Sequence, residues 1–346
     1  MFKRLLCASP LYLATALAWS QPGVAPAAVE PAPVTQADVA DNAAPQVLIS
    51  GVRPGPGLWK ISKGDHVLWV FGTYEPLPRK MQWRSHQVEK ILEQSQEYLY
   101  PPGGSLRVGV FKGLTLLPVL PFMIGIKNNP GGVVLRDVLP PEVYARWQVL
   151  KKKYIGEDEG IERERPMFAA QTLSQKAMAY AGLSSGREVS YAIEAMAKKK
   201  NIKMTSSAAQ MEVDDPIKAV REFKKSPLED VACFSKTLEF LEGDIAVMRD
   251  RANAWAKGDL DGIQHLGYAD RTDTCDAVWL NSPVFQARPG LKDVHARSRV
   301  AWIAAAERSL AANASTFATL RLTDILDPKG VVAALEAKGY VVQKPE

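Results

Sequence analysis

The chain has 346 residues, with 43 Lys and Arg against 38 Asp and Glu, and therefore a formal net charge of +5. Its apolar fraction of 47% and charged fraction of 23% are typical of a globular protein. The basic residues occur in short runs, 151–153 and 198–200, rather than in one contiguous stripe, so nucleic acid is not an expected partner.

The first twenty residues have the pattern of a cleavable export signal. Lys3 and Arg4 precede a mostly apolar stretch, 5–18, and Ala18-Trp19-Ser20 offers small residues to a signal peptidase. A membrane anchor is the alternative, but the stretch is shorter than the ~20 residues that a spanning helix needs, and Pro10 interrupts it. The sequence predicts cleavage after Ser20, no transmembrane segment afterwards, and a periplasmic or secreted location.

Residues 21–50 are predicted to be a disordered tether. They are rich in Ala, Pro and Val, lack aromatic residues, and show no helical or strand period. Such a segment cannot bury enough apolar surface to offset its ordering entropy. Residues 51–346 remain for the folded part, which is enough for one large domain or two small ones.

The folded part opens with strands. The β-rich runs 58–61 and 66–73 are separated by a four-residue turn, 62–65, and this spacing predicts a hairpin. A helical pattern follows Ser85, and 98–100 reads as a short strand. A β-β-α-β start is therefore expected.

The stretch 108–126 is strongly apolar, but Lys112, Pro118 and Pro121 exclude a spanning helix. It is either a buried loop or an exposed partner surface. The buried reading is favoured because large exposed apolar patches are uncommon on monomers.

The remainder of the chain alternates helices with short strands. Helical spacing predicts helices over 141–153, 166–182, 188–200, 226–241, 245–257, 294–312 and 330–338, and strands are predicted over 202–205, 317–322 and 340–342. Strands embedded among helices indicate an α/β fold with a central mixed sheet flanked by helices.

Cys233 and Cys275 are the cysteines left after signal cleavage, and we expect them to form a disulfide. An isolated pair in an oxidising compartment is more often bridged than free. A metal site would need further Cys or His at short spacing, and the sequence has none there.

The standard catalytic motifs are missing from this sequence. Its four histidines, His66, His86, His265 and His295, form no local ligand pair, and there is no G-x-S-x-G elbow, phosphate-binding loop or dinucleotide fingerprint. The chain therefore carries no signature of a known nucleophile or nucleotide scheme.

Several segments together resemble the TraB/GumN family, to which the TIKI-type proteases are related. Matching segments occur in the family's order at 57–61, 68–73, 255–260, 299–302, 330–335 and 338–342. The resemblance spans residues 57–343. It implies one TraB/GumN-like α/β domain over 51–346.

The family's chemical motifs are altered here. Active members carry Gly-x-x-His after the first hairpin, where this chain has Gly72-Thr73-Tyr74-Glu75, and again before the last helix, where it has Arg321-Leu322-Thr323-Asp324. The acids expected after two strands are also replaced, near Pro101 and at 205–207. The family's Arg-Asn pair is missing, although Arg297 and Arg299 lie nearby.

This departure predicts a degenerate active site rather than a working one. A hydrolytic divalent metal needs about three protein ligands and an open position. The candidate residues are Gly72, Thr73, Tyr74, Glu75, Arg321 and Asp324. Only Glu75 and Asp324 offer carboxylate oxygens, so the leading hypothesis is a pseudoenzyme that has no cofactor and binds an unknown protein, peptide or glycan.

The alternative is a metal-dependent, protease-like hydrolase that binds a divalent ion such as manganese through Glu75 and Asp324. Under either hypothesis the two altered motifs should meet at one edge of the sheet. Arg321 should then pair with Glu75 or Asp324 and remove that carboxylate's tendency to bind a cation.

Overall fold

A six-stranded mixed sheet lies at the centre of the protein. The computed structural model describes residues 57–79, 86–108, 119–184, 187–243, 245–265, 271–288, 290–291 and 293–345, all within one compact unit, Ala44–Glu346. The predicted export signal and the predicted tether lie outside the described residues. The strands are β1 Leu58–Lys63, β2 His66–Thr73, β3 Leu77–Pro78, β4 Glu97–Leu99, β5 Gly104–Val108, β6 Leu183–Ser184, β7 Lys203–Thr205, β8 Ala209–Val213, β9 Ser315–Arg321 and β10 Val341–Gln343.

Helices cover the sheet and extend beyond it. They are α1 His86–Glu93, α2 Leu120–Met123, α3 Leu135–Val138, α4 Pro141–Tyr154, α5 Pro166–Tyr180, α6 Arg187–Lys199, α7 Pro216–Lys225, α8 Val231–Gly243, α9 Ile245–Lys257, α10 Leu260–His265, α11 Arg271–Asn281, α12 Pro283–Gln286, α13 Val294–Ala312, α14 Leu322–Leu326 and α15 Val331–Ala337. Among the described residues, no helix combines the length and apolarity that crossing a bilayer requires.

The central sheet has the strand order β10-β1-β2-β9-β4-β7. β1 pairs antiparallel with β10 and β2, whereas β2, β9, β4 and β7 run parallel. The hairpin turn uses Gly64 at a positive φ of 60°, which glycine adopts without steric cost. The predicted α/β fold with a central mixed sheet is confirmed.

Two apolar cores account for most of the packing. One surrounds the sheet and includes Trp59, Trp255 and Trp302. The other joins α4, α5 and α8 around Trp147 and Phe234, whose ring centroids lie 5.4 Å apart. Burial of these large side chains supplies the main driving force for folding.

The predicted disulfide is confirmed. Cys233 on α8 and Cys275 on α11 are bonded, with Cα atoms 4.8 Å apart, inside the range that disulfide geometry requires. Met167 and Val278 pack in the same buried cluster.

One predicted helix boundary needs correction, and other elements were missed. The helix predicted over 226–241 begins at Val231, because Ser226 ends a helix that the periodicity reading missed, α7. That helix had a start signal, since Asp215 accepts a hydrogen bond from the Lys218 backbone N–H at 2.8 Å and Pro216 follows it. The pair β5 and β8 was also missed.

The preference for a buried loop over 108–126 is wrong for its described part, 119–126. Val119 is buried, but Leu120, Met123 and Ile124 are exposed. Residues 109–118 lie outside the described residues.

Candidate functional site

The two altered motifs lie side by side at one edge of the central sheet. β2 and β9 are parallel neighbours, and Thr73 is paired with Arg321 at their carboxyl ends. The turn after β2 holds Tyr74 and Glu75, and Asp324 lies one turn into α14. Residues separated by about 250 positions in the chain therefore form one site because of this parallel pairing.

Gly72 occupies a crowded position beneath the site. A Cβ atom there would lie 3.0 Å from both Leu322 Cδ1 and Trp59 Cζ3, and 3.3 Å from Ile325 Cδ1. The indole Nε1 of Trp255 donates a hydrogen bond to the Gly72 carbonyl at 3.0 Å. A side chain at the glycine of the first motif would therefore press on packed core side chains, whatever the chemistry of the turn.

The neighbouring Thr73 also serves the scaffold. It is buried, and its hydroxyl donates to the Leu320 carbonyl at 3.1 Å, which ties the end of β2 to β9. This hydrogen bond satisfies a buried polar group, so Thr73 contributes to the structure of the site rather than to its surface.

Tyr74 is buried, and its phenol interacts with Arg251 of α9. Burial raises the pKa of Tyr74 to about 12, although the charge of Arg251 and a hydrogen bond with it act in the opposite direction. The phenol is therefore neutral near pH 7 in the structure as it stands. Arg251 was missed by sequence reasoning, but it lies four residues before Trp255 on the same helical face, and that spacing could have revealed it.

Glu75 carries an exposed side chain at the rim of the site. Partial burial of its carboxylate raises its pKa, Arg187 and Arg321 act in the opposite direction, and Glu188 raises it further. The carboxylate therefore lies among charges of both signs. Arg187 and Glu188, at the start of α6, were not predicted.

Arg321 pairs with Asp324 rather than with Glu75. Its Nε lies 2.9 Å from Asp324 Oδ2 and its Nη2 lies 2.9 Å from Oδ1, so one planar guanidinium engages both carboxylate oxygens. The Arg321 side chain is 59% exposed and that of Asp324 is 21% exposed. Such a bidentate pair uses the two oxygens that would otherwise be offered to a cation.

Other positions singled out by the sequence have structural roles. Trp302 is fully buried, and its Nε1 donates to the Tyr100 carbonyl at 3.0 Å, next to Pro101. Arg299 donates to the Lys329 carbonyl and lies 3.6 Å from Asp327, so it supports the loop after α14 instead of contacting Asp324.

The buried carboxylate of Glu97 was missed by sequence reasoning. It accepts hydrogen bonds from Thr205, from Ser309 at 3.0 Å and from Asn313 at 2.6 Å, and Lys203 lies 3.1 Å away. Burial raises the pKa of Glu97, but these partners together outweigh it and hold the pKa below its usual value. Glu97 also lines a cavity of about 180 Å³ between β7 and α13.

A family comparison identifies the group of proteins to which this chain is related. The model of the TraB/PrgY/gumN family matches residues 57–344. The chain belongs to the TraB/PrgY/gumN family. Comparison with curated proteins and comparison with solved structures give no match.

The side chains present do not fit the hydrolytic metal centre that resemblance to the active TraB/GumN members implies. Within the part of the chain that the structure describes, no three His, Cys, Asp or Glu side chains are grouped so that they could hold a metal ion. The two motif positions supply an exposed glutamate among charged groups and an aspartate held by Arg321. A hard cation would have to displace that guanidinium and would still lack a third ligand.

Proposed function

We propose that this TraB/PrgY/gumN-family chain is a non-catalytic binding protein that uses the altered cleft at the ends of β2 and β9. The bidentate pair between Arg321 and Asp324 carries this proposal. A guanidinium stands where the resemblance to the family's second Gly-x-x-His motif implies a glycine, and its positive charge opposes the approach of a divalent cation.

The charges at the cleft favour a polar ligand with charged groups. Glu75 lies near Arg187 and Arg321, and the neutral Tyr74 phenol lies behind the rim. A peptide or protein segment can place carboxylates beside the two arginines and an amine beside Glu75, whereas a neutral glycan makes no ionic contact with these groups. A peptide segment is therefore the ligand class that we favour.

The same proposal includes export from the cytoplasm, with residues 1–20 as the signal and 21–50 as a tether. The bonded pair Cys233 and Cys275 is consistent with an oxidising compartment. Recovery of the chain from the periplasm or medium with Gln21 as its first residue, measured by N-terminal sequencing, tests this part.

Metal content and hydrolysis test the non-catalytic assignment. We expect the purified protein to contain no stoichiometric divalent metal and to leave a mixed peptide substrate intact. The rival is a divalent-metal hydrolase that uses Glu75 and Asp324. Stoichiometric manganese that is lost in Glu75→Ala and kept in Glu157→Ala, a matched change at another exposed glutamate, would establish the rival.

Reversal of the altered motifs gives a second test. Arg321→Gly, combined with Glu75→His and Asp324→His, removes the guanidinium and restores both motif histidines. We expect calorimetric titration with Mn²⁺ to show higher affinity in this triple variant than in the wild type. Equal affinity would show that the guanidinium does not control access of cations to the cleft.

Ligand binding can be measured with short acidic, basic and neutral peptides by fluorescence polarisation. Arg187→Gln and Arg321→Gln should weaken binding of the acidic peptides, because each removes a cation from the rim. Lys199→Gln, an exposed cation on α6, is the control and should change nothing. If Arg187→Gln and Arg321→Gln bind every peptide class as tightly as the Lys199→Gln control does, the cleft is not the ligand site.

A further inference from the structure

The segment 120–124, which forms α2 and the residue after it, is an exposed apolar tip. Leu120 is 55% exposed, Met123 is 40% exposed and Ile124 is 77% exposed. Three large apolar side chains within five residues form a concentrated patch rather than scattered surface residues, and such patches mark interaction sites. We refer to 120–124 as the apolar tip.

A basic helix face lies beside the apolar tip. α2 packs against α7, on which Lys218, Arg221 and Lys225 are exposed at helical spacing. The Arg221 guanidinium carbon lies 4.5 Å from the centre of the Phe122 ring, and Lys224 Nζ donates to the Ile124 carbonyl at 2.7 Å. Cations of α7 thus contact the tip directly.

Two acids of this region make contacts within the protein, and Asp214, just before α7, is exposed. Glu222 of α7 forms an ion pair with Arg288 at 2.6 Å, and Asp215 caps the helix N-terminus through the Lys218 backbone N–H. Glu164 lies near Lys127, and burial raises the pKa of Glu164. The helix α7 itself carries the four cations Lys218, Arg221, Lys224 and Lys225 against the single acid Glu222, a net charge of +3, with Asp214 and Asp215 before its first turn.

Buried Arg165 fixes the tip and the basic helix relative to each other. Its Nε donates to the Asn128 carbonyl at 3.1 Å, in the loop that follows the tip, and its Nη2 donates to the Phe223 carbonyl at 2.8 Å, near the end of α7. The side chain is 1% exposed. The apolar and cationic groups are thus presented together by a preorganised surface.

We propose that the apolar tip and the basic face of α7 dock on an anionic lipid bilayer. The apolar side chains would enter the headgroup region, and the adjacent cations would meet lipid phosphates, which is the pairing that interfacial anchors use. A second copy of this chain is a poorer occupant, because symmetric contact would place one basic face against another. This surface is separate from the cleft, so the inference does not depend on the proposed function.

Vesicle co-sedimentation tests the proposal with protein recovered from an export-competent host, so that the cell has processed any leader. We expect the wild type to sediment with phosphatidylglycerol-containing vesicles and not with pure phosphatidylcholine vesicles, and added salt should weaken the association. The double variant Leu120→Ser with Ile124→Ser should lower the partition coefficient at least about tenfold. Lys218→Gln with Lys225→Gln should lower it roughly thirtyfold.

Two matched variants keep the test specific. Val149→Ser with Val300→Ser makes the same kind of apolar change at exposed positions on α4 and α13, and Lys152→Gln with Lys199→Gln removes two exposed cations elsewhere. Both controls should bind as the wild type does, and all variants should keep the wild-type thermal midpoint.

Three results would overturn the proposal. The first is no sedimentation with anionic vesicles, and the second is sedimentation that the tip and basic-face variants leave unchanged. The third is a change of oligomeric state in these variants, measured by light scattering, in a protein that does not bind vesicles. That result would assign the surface to self-association.

Discussion

Gly72→Ala should destabilise the protein by about 1–3 kcal/mol, the usual range for inserting a methyl group into a filled core. The added Cβ would meet Leu322, Trp59 and Ile325 at 3.0–3.3 Å, closer than ordinary van der Waals contact. All three side chains are buried, and Leu322 and Trp59 belong to the core around the sheet. Relieving these close contacts therefore requires movement of packed core side chains rather than rotation of a surface side chain.

Urea unfolding monitored by tryptophan fluorescence and circular dichroism measures this loss. Gly103→Ala is the control, because a Cβ at Gly103 would meet no atom within 4 Å. That change should leave stability unchanged or raise it by about 0.4–1 kcal/mol, since alanine restricts the unfolded chain. The same substitution is therefore expected to lower the free energy of unfolding at Gly72 and to leave it unchanged or raise it at Gly103. If Gly72→Ala is as stable as Gly103→Ala, packing does not explain why the motif retains its glycine.

Three further predictions concern buried interactions. Glu97→Gln should lower the free energy of unfolding by about 3 kcal/mol at pH 7, because the amide has only one oxygen to accept the hydrogen bonds that two carboxylate oxygens now accept. Glu93→Gln is the control: it loses only the exposed pair with Lys200 and should cost under about 1 kcal/mol. The pKa of Glu97 is lower in the folded state, so its contribution to the free energy of unfolding is complete above the unfolded pKa of about 4.3 and is lost as pH falls through the folded pKa. The urea midpoints of the wild type and Glu97→Gln should therefore converge in acid, and a failure to converge would contradict this. Cys233 and Cys275 are 42 residues apart, and replacing both by serine should lower the free energy of unfolding by about 4 kcal/mol in the chain-entropy model. An unchanged urea midpoint after reduction of the wild-type disulfide would refute this prediction. Arg165→Met removes the donor to carbonyls at Asn128 and at the end of α7, and it should lower the free energy of unfolding by at least about 3 kcal/mol and speed amide exchange at 125–129. Unchanged exchange there would show that Arg165 does not hold the apolar tip against α7.

Much of the fold could be predicted from local pattern. The hairpin of β1 and β2, the helix α13 and the strand β9 were predicted within two or three residues, because each has a clear period and a clear stop. The short pairs β3 with β6 and β5 with β8 were missed. β3 and β6 have two residues each, which is too short to show a period, and only their pairing makes them strands.

The candidate site was predicted in outline. The family pattern identified Glu75 and Asp324, and the expectation of parallel strand ends placed their turns together. Arg251, Arg187 and Glu97 were missed, because each reaches its partners through tertiary packing. Glu97 and Ser309, whose hydroxyl donates to the Glu97 carboxylate, are 212 residues apart, and no local spacing relates them.

The sequence alone determined the order and type of the long elements, the cysteine pair available for bonding and the presence of Glu75 and Asp324 at the two motif positions, since these depend on residue identity and short-range period. Only the tertiary structure decided that Arg321 takes Asp324 rather than Glu75, that Glu97 is a buried acceptor, and that 120–124 is exposed beside α7. Arg321 and Asp324 are only three residues apart, but the contacts of Glu97 and the exposure of 120–124 depend on the direction of side chains relative to elements distant in the chain. That direction is set by strand register and core packing, which local composition does not contain.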